Sequence, residues 1–114
     1  VPPWNRIATS LPPRLGALGF TALSTFGKEK ENAPISLVNT HVDVMDWHGT
    51  RGGRPAADLF AELAGWVART DAPPVIGVLT HHLVHDEAVW AFLESLFALT
   101  ADHPTSAWVK PLAG

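Results

Sequence analysis

VIGVLT, residues 75–80, runs through five apolar or small residues without a break before its threonine. The run is too short for a helix and has no polar alternation. It reads as a strand covered on both faces, the kind that belongs to a parallel sheet. DAPP (71–74) sets its start, because two prolines cannot continue a helix. Before that break, Pro55 opens a helix that should reach about Arg69, with Leu59, Leu63, Trp66 and Val67 on one stripe. After the strand, Asp86 can cap a second helix to about Ala101, whose buried face would be Val89, Leu93, Leu96 and Phe97. A strand flanked by two such helices implies βαβ units and a mostly parallel sheet.

The amino-terminal part extends this pattern. SLVNTHV (36–42) is β-prone, and FTALS (20–24) reads as a short strand. Ser10 can cap a short helix that tolerates Pro12 and Pro13 in its first turn, buries Leu15 and Leu18, and stops at Gly19. GKEKENAP (27–34) is polar and punctuated, hence an exposed loop, and GTRGGR (49–54) reads as a flexible one. SAWVK (106–110) would be a last strand.

The chain has 114 residues, 46% hydrophobic and 17% charged, which suits a packed domain rather than a disordered tail. Net charge is −3 with no basic stripe, which argues against nucleic acid as a partner. No apolar run approaches the roughly 20 residues of a spanning helix. The absence of cysteine excludes disulfides and thiolate zinc sites and fits a reducing, cytoplasmic compartment.

Three polar clusters fall at strand ends, where α/β folds place their ligands. PPWNR (2–6) stiffens the chain with two prolines before an aromatic, and such a loop can aim a backbone N–H at an oxyanion. DVMDWH (43–48) sets two carboxylates beside a tryptophan, a combination suited to an apolar sugar face. THHLVHD (80–86) puts His81 just past an apolar strand, where an imidazole can donate a proton near neutral pH. Asp43 or Asp46 could set its tautomer. His81 and His85 also share H-x-x-x-H spacing, which is incidental where the first histidine ends a strand.

Pro3-Trp4, Asp43-Val44-Met45-Asp46-Trp47 and Leu79-Thr80-His81, in that order, resemble the last three motifs of the polysaccharide deacetylase family. This family is the NodB-homology domain, carbohydrate esterase family four. Those motifs are arginine-x-proline-aromatic, D-x-x-D-W and L-x-H, and the resemblance spans residues 1–108. It implies an α/β fold, the C-terminal part of a distorted (β/α)7-8 barrel with a mostly parallel sheet. Residues 1–114 would be the carboxyl-terminal half of that domain. It also implies hydrolysis of the acetamide C–N bond of an N-acetylated carbohydrate. His81 would protonate the departing amine, Asp46 would orient His81, and Asp43 would support the same network. The backbone N–H of Trp4 would help hold the oxyanion. Trp47 and Leu79 would wall the acetyl pocket, and Pro3, Asn5 and Arg6 would face the sugar.

The chain departs from the family where the metal chemistry lies. The first two motifs, with the base aspartate and the metal ligands, have no counterpart, so a divalent metal, zinc by resemblance, would be held outside this chain. Val1 stands where the family has arginine, and Arg6 has a different spacing. A half domain would leave sheet edges and apolar faces to cover, so its expected partner is the missing N-terminal half or a second copy. The alternatives are a carbohydrate-binding or regulatory barrel without chemistry, and a structural α/β domain.

Overall fold

The computed structural model of the chain describes residues 1–110. Helix α1 (Pro12–Leu15) is followed by strands β1 (Ala22–Leu23), β2 (Ser36–Leu37) and β3 (Val42–Asp43), helix α2 (Ala56–Ala68), strand β4 (Val78–Leu79) and helix α3 (Glu87–Thr100). The described chain divides into two compact units, residues 1–43 with 62–79 and residues 44–61 with 80–110. Helix α2 begins in the second unit and ends in the first.

In the first unit the strand pairing is parallel. β1 pairs with β2 in the register Ala22–Ser36 and Leu23–Leu37, and β3 pairs with β4 in the register Val42–Val78 and Asp43–Leu79. The expectation of a (β/α)7-8 barrel is corrected. The described residues form only two parallel sheets of two strands each, with three helices and no barrel. Closing a barrel requires long tilted strands in one continuous staggered sheet, and each strand here is two residues long. VIGVLT yields only Val78 and Leu79 as strand, and neither is fully buried. Residues 106–110 form no strand.

Gly77 explains how the second pairing closes. Its carbonyl accepts from the His41 and Val42 amides at 2.7 and 3.2 Å, and its own amide donates to His41 Nδ1 at 3.0 Å. A Cβ at Gly77 would lie 2.6 Å from the Asn39 carbonyl oxygen and 2.9 Å from Thr40 Cα. Only glycine lets the two backbones approach this closely.

His41 is buried, and Nδ1 accepts a backbone N–H, so its other nitrogen carries the proton. That Nε2–H donates to Glu29 Oε1 at 3.0 Å, and Glu29 Oε1 also accepts from the Asn39 amide at 3.1 Å. Burial raises the Glu29 carboxyl pKa, but the hydrogen bonds from its own amide, His41 and Asn39 outweigh that and lower it overall. The polar loop 27–34 is thus tied by one carboxylate to the segment between β2 and β3. The His41 ring meets Trp66 edge-on, with centroids 4.9 Å apart, and Arg69 covers Trp66 at 4.6 Å.

At the amino terminus, α1 runs into a 3₁₀ turn, Gly16–Leu18, that stops at Gly19 in the left-handed conformation, φ 92°. Ser10 is not its cap, since the residue before the helix is Leu11. Leu18 is exposed rather than buried, because the short 3₁₀ turn rotates it off the face that half-buries Leu15.

The second unit has its apolar core in Val44, Met45, Leu59, Val89, Phe92, Leu93 and Leu96. Burial of a side chain such as Leu59 contributes about 1.5–3 kcal/mol. The rings of Phe60 and Phe92 meet edge-on at 5.0 Å. Phe97, expected inside, is half exposed and carries the Trp108 ring at 4.9 Å.

Gly77→Ala is expected to destabilise the chain by about 1–3 kcal/mol, the usual cost of overpacking. Chemical denaturation followed by tryptophan fluorescence measures it, and an unchanged midpoint would show that residues 39 and 40 can give way.

Candidate functional site

The stretch after β3 turns back on itself. Arg54 N–H donates to the Val44 carbonyl at 2.9 Å, and Asp46 N–H donates to the Gly52 carbonyl at 2.9 Å. Met45 and Gly53 form the antiparallel bridge between these bonds. The GTRGGR segment is therefore one arm of a hairpin, not a loose loop. Asp46 makes its turn: the backbone carbonyl accepts from Arg51 at 2.8 Å and Oδ2 accepts from the Thr50 amide at 3.2 Å. Short aspartate side chains favour such local bonds. One oxygen of the Asp46 carboxylate thus helps shape the turn that follows Trp47.

Asp86 anchors this hairpin to α3. Oδ1 accepts from Val89 N–H at 3.1 Å as the helix N-cap, and Oδ2 accepts from Gly53 N–H at 2.9 Å. A Cβ at Gly53 would sit 2.6 Å from Val89 Cγ2, which accounts for glycine at that place. Hydrogen bonds from the Gly53 and Val89 amides lower the Asp86 carboxyl pKa.

Trp47 and His81 come together here. Their ring centroids lie 4.8 Å apart with the planes at 89°, and Trp47 keeps 40% of its surface exposed. The two sequence motifs therefore meet at their last residues. His81 leads into a 3₁₀ turn (His82–Val84) that folds His85 back beneath it. His81 N–H donates to His85 Nε2 at 2.8 Å, and the His81 carbonyl accepts from Val84 N–H at 2.9 Å. The His85 ring then meets Trp90 edge-on at 4.8 Å. Trp47–His81 and His85–Trp90 are two ring pairs, joined through the His81 backbone amide on the His85 ring. His85 and Trp90 were not among the expected site residues, and the four-residue step from His81 to His85 was the available signal.

The remaining expected site residues lie in the first unit. Asp43 stands opposite Leu79 in the β3–β4 register. Pro3, Trp4 and Asn5 make a 3₁₀ turn in which Trp4 has φ 59° and Asn5 φ 54°. The amides of Asn5 and Arg6 are bonded to Pro2 and Pro3 at 3.1 and 3.2 Å, and the Trp4 side chain is 88% exposed. The positive φ angles of Trp4 and Asn5 make this a strained turn.

No group of three or more His, Cys, Asp or Glu side chains among the described residues is placed to hold a metal. His85 Nε2, which H-x-x-x-H spacing would offer to a metal, is occupied by the His81 amide. The described residues do not fit the metal that the resemblance implies. No helix among them is long and apolar enough to cross a membrane.

No family model, curated protein or solved structure matches this chain.

Asp86 supports the site from below, with a consequence for acid stability. Its folded pKa lies under its unfolded value of about 3.9, so its contribution is complete above that pH and is lost as pH falls through the lowered value. Asp86→Ala should lower stability at neutral pH and flatten the acid limb of a stability–pH curve. An unaltered acid limb in thermal melts from pH 2 to 7 would exclude this role.

Proposed function

We propose that this chain supplies the proton-donating, sugar-facing part of an N-acetyl-carbohydrate deacetylase. Water adds to the acetamide carbonyl carbon and gives a proton to the base that the resemblance places outside this chain; as the C–N bond breaks, His81 gives a proton to the departing amine nitrogen, and the acetic acid formed loses its own proton to solvent as acetate. An imidazole is suited to this step near neutral pH. Trp47, edge-on to His81, offers an exposed indole for the apolar face of the sugar ring. The observation that carries the reading is this meeting of the D-x-x-D-W tryptophan with the L-x-H histidine. The residues described contain no metal-holding group, so no step here is assigned to a metal.

In the first unit, Asp43 and Leu79, register partners at the strand end, and the strained Pro3–Asn5 turn with Arg6 are the residues that the resemblance turns toward the sugar. Helix α3 leaves Phe97 and Leu99 exposed. These apolar side chains support a covering partner, the remaining part of such a hydrolase or a second copy.

A carbohydrate-binding role without turnover is the second reading. It is favoured by the two exposed indoles, Trp47 and Trp90, each edge-on to a histidine ring.

The test is acetate release from an N-acetylated chito-oligosaccharide by the intact polypeptide. His81→Ala should lower kcat by about 10²–10⁴, the usual worth of a general acid. Trp47→Ala should act mainly on KM. Binding of the oligosaccharide by calorimetry with no acetate released would select the second reading. Wild-type kcat in His81→Ala would remove His81 from the chemistry.

A further inference from the structure

We propose that His85 is a positioning residue for His81, holding the backbone of the proton donor through a side-chain hydrogen bond. This rests on the reading of His81 as general acid and adds a residue to it.

His81 has φ −137° and ψ 66°, so it belongs to neither helix nor strand, and no ladder holds its amide in the usual way. The chain supplies a substitute. The His82–Val84 turn is closed by Val84 N–H on the His81 carbonyl, and this brings the imidazole of His85 under the His81 amide at 2.8 Å. Both backbone polar groups of His81 are therefore engaged by residues of the same short turn. Trp47 meets the His81 ring edge-on at 4.8 Å from the other direction. The proton donor is thus held at its backbone by His85 and at its ring by Trp47.

His85 has the properties this task needs. Accepting the His81 N–H requires a lone pair on Nε2, so the ring is neutral with its proton on Nδ1. Burial lowers the His85 pKa first, and the neighbouring His81 and His82 lower it further, against the opposing charge of Asp86. The neutral, accepting form is the favoured one. Nδ1 is buried with no hydrogen-bond partner among the described residues. The ring orientation is set by Nε2 on His81 and by the edge contact to Trp90, 4.8 Å with planes at 71°.

Amide hydrogen exchange of this chain reads the clamp directly, in the wild type and in His85→Gln and His85→Leu. A glutamine oxygen reaches about where Nε2 lies and can still accept, whereas leucine cannot. The His81 amide should stay protected in His85→Gln and exchange about tenfold faster in His85→Leu. The Val89 amide, bonded to Asp86, is the internal control. If Val89 loses protection in His85→Leu, the helix start has been lost and the comparison passes to His85→Asn, whose amide is too short to reach; faster His81 exchange there supports the clamp. His81 protection that survives in the variant whose Val89 stays protected overturns it. In the acetate-release assay, His85→Leu should lower kcat about ten- to a hundredfold with KM unchanged, and His85→Gln should recover most of the loss. Full kcat in His85→Leu despite fast His81 exchange overturns the positioning role. Full kcat in His81→Ala defeats the general-acid reading instead, and leaves the amide comparison to decide the clamp.

Discussion

The first unit hangs on a close approach at Gly77. The backbone of residues 39–41 comes so near that a single added carbon would lie 2.6 Å from a carbonyl oxygen. That closeness lets one residue give its carbonyl to two amides and its amide to the His41 ring. It also decides the state of His41. With Nδ1 accepting, Nε2 must donate, and its partner is Glu29 from a loop twelve residues earlier in the chain. Asn39 joins the same network through its side-chain N–H on the Gly27 carbonyl at 2.8 Å. Buried polar groups left unpaired would each cost about 1–3 kcal/mol. A satisfied network of this kind therefore ties a polar loop to the segment between β2 and β3 more effectively than the composition of the loop suggests.

The second unit solves a similar problem with a carboxylate. Asp86 caps α3 with one oxygen and holds Gly53 of the hairpin with the other. Helix and hairpin share one anchor, and the elements that carry the rings grow from its two sides. Trp47 sits at the turn of the hairpin, Trp90 in the first turn of α3, and His81 and His85 on the segment that leads into it. Ring contacts at 4.8 Å then join tryptophan to histidine in each of two pairs. Aromatic edges of this kind contribute about 0.5–1.5 kcal/mol each beyond area burial. Their larger effect is to restrict where the imidazoles can point.

Asp46 has a local role that its turn imposes. The turn needs an acceptor for the Thr50 amide, and Asp46 Oδ2 meets that need within its own hairpin. The neighbouring Trp47 meets the His81 ring, and His85 accepts from the His81 amide.

Local features are legible in the order of the residues. The Asp86 cap, the proline-opened helix at residue 56 and the glycine stop at Gly19 are all of this kind. Caps, stops and helix starts depend on neighbours a few residues away, which the chain order displays. The association of the D-x-x-D-W and L-x-H motifs is legible too, and their ends do meet. Strand length is not. VIGVLT has apolar residues enough for a long strand, yet pairing needs a partner backbone at hydrogen-bonding distance, and that exists only for two residues. The barrel expectation fails for this reason, since closure is a property of the whole sheet. The bonds of His85 to the His81 amide and of Glu29 to His41 are equally hidden, because each depends on how a turn or a strand brings a ring to a distant acceptor or donor. Sequence order specifies which side chains can cap, turn or cover. Which of them meet is settled by backbone paths that only the folded chain defines.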